Sequence, residues 1–104
     1  MTVNAISAHE FADLYKQGAL DESYIMDVRE PYEWEVGHLK KANHMPMNTV
    51  PERLVELDRD QTIFVMCAHG VRSWHVTQFL LNHGFEKIVN VEGGMAEVAP
   101  YIEE

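Results

Sequence analysis

Apolar and polar residues repeat along this chain with two periods, and the point where one gives way to the other marks its central unit. Thr62, Ile63, Phe64, Val65 and Met66 form an uncharged run, mostly β-branched or aromatic. Such a run suits a strand buried on both faces of a parallel sheet. From Trp74 onward the spacing becomes helical, with Val76, Phe79 and Leu80 on one side. Gly84 then stands where a helix C-terminus favours positive φ.

Shorter pieces of the same kind flank this unit. Residues 3–6, 24–28 and 87–91 read as strands. Ser7-Ala8-His9-Glu10 reads as a capping box opening a helix to about Lys16, which buries Phe11 and Leu14 and stops at Gly18. Pro31 suits the first turn of a short helix that Gly37 ends. Residues 38–47 read as extended or turning, and Pro46 limits any strand there. Thr49-Val50-Pro51-Glu52 resembles a second capping box, for a helix with Leu54, Val55 and Leu57 turned inward. Gly93-Gly94 turns the chain into a last short helix from Met95 to Ala99, halted by Pro100. Strands alternating with helices through short links predict an α/β fold, a parallel sheet covered by helices on both faces, with residues 1–104 as one domain.

Composition narrows the class. With 46% hydrophobic and 24% charged residues the chain is expected to be soluble and globular, and no apolar run approaches the ~20 residues of a membrane span. Residues 1–4 carry no basic, then apolar, signal pattern, and one cysteine permits no internal disulfide. Both features point to a reducing cytoplasm. The net charge of −9 argues against nucleic acid or an anionic membrane as partner.

The lone cysteine, Cys67, follows the buried run and precedes Ala68, His69, Gly70, Val71, Arg72 and Ser73, so it sits in a strand-to-helix turn. Ligands of open α/β sheets collect there, beside unpaired helix N–H groups. A thiol so placed has a lowered pKa and reacts as thiolate. Arg72 offers a nearby cation, and Gly70 gives the backbone freedom for successive amides to converge on one anion. Cys67 is therefore read as a reactive thiol rather than an inert buried one.

Cys67, Gly70, Arg72 and Ser73 resemble the active-site loop of the rhodanese (sulfurtransferase) family. Two further stretches agree in order: Asp27-Val28-Arg29-Glu30 with Glu33, Gly37-His38-Leu39 and Ala42, and Gly84-Phe85 leading to Val91-Glu92-Gly93-Gly94. The resemblance implies one rhodanese-like domain with about five parallel strands. It also implies sulfur transfer: the Cys67 thiolate takes a sulfane sulfur from a donor such as thiosulfate, and a thiol or cyanide collects it. Loop residues Ala68 to Ser73 and the Arg72 guanidinium would hold the anions. Thioredoxin-like exchange would need a second cysteine, and no cofactor is called for.

Other chemistries fit less well. Arg29 reads first as the partner of Asp27 at a strand end, and otherwise as a residue on the rim of the site. Cysteine phosphatases and arsenate reductases place five residues between Cys and Arg, whereas four intervene here, and only Asp27 offers itself as a general acid. A relay module handing persulfide to a protein partner would have nearly the same sequence. The six histidines, among them His38, His44, His69 and His75, show no zinc spacing, so they read as solvated or hydrogen-bonded and no metal is expected. Trp74, Phe79 and Phe85 read as core.

Overall fold

Ile63, Phe64, Val65 and Met66 are all buried, and they form the middle strand of a five-stranded sheet. The computed structural model describes residues 4–104, so the expected strand start at Val3 lies outside the described residues. The strands are β1 (Ala5–Ile6), β2 (Tyr24–Asp27), β3 (Ala42–His44), β4 (Ile63–Met66) and β5 (Ile88–Val91). They run parallel in the order β1-β5-β4-β2-β3.

Side chains alternate across a strand, so β4 divides its buried residues between two cores. Ile63 and Val65 join Met26, Val28 and Ile88 against α3 (Val71–Asn82), which contributes Val76 and Leu80. Phe64 and Met66 join Ile25 and Val91 on the other face. There they meet Ala8, Phe11 and Tyr15 of α1 (Ala8–Lys16) and Val98 of α4 (Gly94–Val98). Burying a side chain such as Phe11 contributes about 1.5–3 kcal/mol. The same parity places Cys67, two residues beyond Val65, on the α3 face.

Local signals explain most helix ends. Ser7 Oγ accepts the Glu10 N–H at 3.1 Å and caps α1. Leu14 is only partly buried, and Tyr15 is the residue sunk beside Phe11. Helix α2 (Pro31–Val36) begins at the proline, and its N-cap Glu30 and Glu33 form a reciprocal capping box. Gly37 follows it.

Several expectations need correction. Thr49 caps no helix: its hydroxyl donates to the Pro46 carbonyl, and the chain makes 3-10 turns over Met47–Thr49 and Pro51–Glu56. A kink at Arg53 changes the facing, so Val55 points outward at 93% exposure while Leu57 stays buried. Helix α3 begins at Val71, not Trp74. Its buried stripe is Ser73, Val76, Thr77 and Leu80, which leaves Trp74 a step off the stripe and 41% exposed, with Phe79 half-buried and Phe85 in the core. Pro100 does not end the last helical stretch either: α4 passes at Val98 into a 3-10 turn, Ala99–Tyr101. No helix among the described residues is long and apolar enough to cross a membrane.

Candidate active site

The loop between β4 and α3 folds around the sulfur of Cys67. Gly70, at φ 97°, is the N-cap of α3, a backbone conformation that residues with a Cβ rarely adopt. This turn brings the Gly70 N–H to 3.1 Å from Cys67 Sγ and lets the Ser73 N–H, in the first turn of α3, reach the same atom at 3.4 Å. Ser73 Oγ also lies 3.4 Å from Sγ, with the thiol donating. A hydroxyl rotates freely enough to reverse that bond and donate to a thiolate.

Two opposing effects act on the thiol. Burial pushes the Cys67 pKa up; bonds from the Ser73 hydroxyl and from the amides of Ser73, His69 and Gly70 push it down, and the balance lies below the ordinary thiol value. Cys67 is only 1% exposed, so the sulfur lies beneath the loop at the edge of the α3-side core and not on open surface.

Helix α4 holds the loop from behind. Its Met95 N–H donates to the Cys67 carbonyl at 2.8 Å, and its Ala96 N–H donates to the Ala68 carbonyl at 3.0 Å. In a trans peptide the C=O and N–H point opposite ways, so fixing these carbonyls turns the Ala68 and His69 amides toward the inside of the loop. Such close backbone contact requires glycine at residue 94. A Cβ there would lie 2.3 Å from the Cys67 carbonyl oxygen, and Gly94 has φ 58°. Asn90 of β5 adds a long bond, Nδ2 to the Gly70 carbonyl at 3.4 Å.

Arg72 goes elsewhere than toward the sulfur. Its Nη1 and Nη2 donate to Glu33 Oε1 and Oε2 at 2.7 and 2.9 Å, tying α3 to α2. That fork holds the Glu33 carboxyl down at about 2 and raises the Arg72 pKa further above its ordinary range. Arg29 is buried: Nε and Nη2 grip the Asp27 carboxylate, and Nη2 also donates to the Gly37 carbonyl at 2.7 Å. Asp27, fully buried and gripped in this way, is not free to act as a general acid.

Of the loop residues singled out in the sequence, Cys67, His69, Gly70 and Ser73 meet at one sulfur, and all but Cys67 do so through backbone N–H groups or a hydroxyl. Ala68 contributes a clamped carbonyl, and Val71 and the His69 ring are exposed. His38 stacks on Trp34 and donates from Nδ1 to its carbonyl, and His44 Nε2 donates to the Arg29 carbonyl. Glu33 and Gly94 were legible in the sequence as part of the family resemblance, and Gly93-Gly94 as a turn, but none of Glu33, Asn90, Gly94, Met95 or Ala96 was legible as a residue that shapes the loop. An asparagine inside Ile88-Val89-Asn90-Val91 was the available signal, because an amide in a buried strand needs a partner.

The model of the rhodanese-like domain matches residues 7–100. This chain belongs to the rhodanese-like family. The rhodanese-like domain is 33% identical over 73 residues to the thiosulfate sulfurtransferase GlpE of Vibrio cholerae, which covers 70% of this chain and 69% of GlpE. It is 43% identical over 75 residues to YtwF of Bacillus subtilis, covering 72% of each chain. A rhodanese-related protein of Thermoplasma volcanium superposes with a TM-score of 0.80 at 35% identity, over 93% of this chain and 91% of that one. The five-stranded parallel sheet and its helices are thus those of the family.

Proposed function

We propose that this rhodanese-like domain is a sulfurtransferase in which Cys67 carries the sulfur as a persulfide. The observation that carries this reading is the convergence of the Gly70 and Ser73 amides on Cys67 Sγ, at 3.1 and 3.4 Å. Amides aimed at one atom stabilise negative charge without a metal or a formal cation. The thiolate attacks the outer sulfur of a sulfane donor such as thiosulfate, the sulfur–sulfur bond breaks, and sulfite leaves with the bonding pair. Cyanide or a thiol then takes the outer sulfur and returns Cys67 to thiolate. Negative charge stays in one place through both halves of the cycle, so one amide-lined loop serves both. The likeness to GlpE, a thiosulfate sulfurtransferase, supports the choice of donor.

The residues assigned to the site are Cys67 as nucleophile, with Ala68, His69, Gly70, Val71, Arg72 and Ser73 around the anion. Arg72 is turned to Glu33 and not to the sulfur, so its part would be limited to the N–H groups that the fork leaves unused. A reducing, cytoplasmic setting would keep the thiol free. Phosphatase or arsenate reductase chemistry is disfavoured, since four residues separate Cys67 from Arg72 and Asp27 is held by Arg29.

Intact-mass measurement after mixing with thiosulfate tests the proposal. The protein should gain one sulfur atom, a reductant should remove it, and Cys67→Ser should gain none. A sulfur adduct that persists in Cys67→Ser, or no adduct on the wild type, would overturn it.

A further inference from the structure

Where the loop meets β5, a cavity of about 370 Å³ opens beside the sulfur site, within the range of small-molecule pockets. It shares His69 and Gly70 with the loop, and Trp74, Asn90 and Glu92 also line it. Its lining includes no lysine or arginine. Glu92 is exposed and brings a carboxylate, and Trp74 brings an indole that the α3 register leaves outside the core. Asn90 is 4% exposed, and its Oδ1 is buried with no hydrogen-bond partner. That oxygen has almost no accessible surface, so it is the Glu92 carboxylate and the Trp74 aromatic face that favour a cation in the cavity.

The loop and the cavity therefore prefer opposite charges. The loop turns amides toward an anionic sulfur, and the only arginine of the loop is bound to Glu33. The chain as a whole carries −9, which disfavours anionic acceptors further. We propose that the cavity binds the positively charged group of the sulfur acceptor, so that the acceptor is a small thiol carrying an ammonium or guanidinium group.

This rests on the persulfide chemistry proposed above. The acceptor thiolate attacks the outer sulfur of the Cys67 persulfide and forms a new sulfur–sulfur bond. The bond from that sulfur to Cys67 Sγ breaks, its electron pair returns to Sγ as thiolate, and the acceptor leaves as its own persulfide. The ammonium keeps its proton throughout. With its charged end against Glu92 and Trp74, the acceptor would have its sulfur drawn toward the loop.

Sulfur-loaded protein should be mixed with cysteamine, 2-mercaptoethanol and 3-mercaptopropionate, and transfer rates compared per thiolate. Cysteamine should be fastest and 3-mercaptopropionate slowest, about tenfold apart, as one nearby charge contact would give. Glu92→Gln should shrink the cysteamine to 2-mercaptoethanol ratio about threefold, and Glu92→Lys should reverse the order. A flat series, an anionic thiol fastest, or a ratio unchanged in Glu92→Gln would overturn the assignment. A second arm needs no sulfur transfer: unloaded Cys67 is labelled with cationic and anionic methanethiosulfonates. The cationic to anionic rate ratio should fall in Glu92→Gln and in Trp74→Phe, and constancy in both would overturn the cavity. If the protein never loads sulfur, the persulfide reading fails, while the labelling ratio still decides on the cavity.

Discussion

Arg29 and Arg72 each follow the C-terminal end of a central strand, and each grips a carboxylate, yet they do different things. Arg29 and Asp27 are almost wholly out of water, and the Asp27 carboxylate takes bonds from Nε, Nη2 and the Arg29 backbone N–H. Arg72 and Glu33 are partly exposed and joined only by a two-point fork. Removing one partner of a buried pair strands a charge in low dielectric, whereas solvent screens a surface pair. The chemical contact is the same, and burial decides how much of the fold's stability depends on it.

The widest gap between the pairs should appear on truncation. Arg29→Ala should destabilise the domain by about 3–5 kcal/mol, because Asp27 is left buried and unpaired. Arg72→Ala should cost about 1 kcal/mol or less. Denaturant midpoints of the two variants check this directly; equal losses would mean that burial does not separate the two pairs.

Gly94→Ala tests whether the loop is set by backbone contact instead of by either pair. The added Cβ would meet the Cys67 carbonyl at a residue whose φ is 58°, so a loss of about 1–3 kcal/mol is expected. The thiol pKa should rise as well, since the displaced carbonyl releases the amides behind it. A thiol-reactivity profile against pH that matches wild type would show that α4 does not shape the site.

The Glu33–Arg72 fork should also give its own acid signature. The Glu33 carboxyl is held at about 2 against an ordinary 4.5. Its contribution to stability is therefore complete above pH 4.5 and is lost as pH falls toward about 2. The difference in unfolding free energy between wild type and Glu33→Gln should be constant above that window and shrink through it. A difference that grows on acidification would contradict the assigned pairing.

The smallest effect is expected from Ser73→Ala. One hydrogen bond to the sulfur is lost, the Ser73 N–H remains, and the thiol pKa should move up toward its ordinary value with stability changed by about 1 kcal/mol or less. Thiol reactivity followed against pH detects it. No change there would assign the lowering to the amides alone.

Much of the fold is legible in one dimension. The uncharged run at residues 62–66, the Ser7 cap and the proline at residue 31 each act within a turn or a strand, and each element formed where they stand. Val55 and Trp74 misled for one physical reason: facing depends on where a helix starts and on whether it is α or 3-10, and a shift of a few residues turns a side chain out of the core. A strand-to-helix loop converging on the lone cysteine was legible in Cys67, Gly70 and Ser73. The service of Arg72 to Glu33 was not, since the two are 39 residues apart.

By itself, the order of residues determined the alternation of strands and helices, the family, and a thiol at the end of a central strand, because these depend on periodicity, caps and a short motif. Tertiary structure alone decided what surrounds that thiol. The Met95 and Ala96 amides behind the loop, the Glu33 fork and the Asn90 side-chain donor to the Gly70 carbonyl arrive from distant segments once the sheet is assembled. Hydrogen bonds and desolvation act over a few ångströms in space, whatever the separation along the chain.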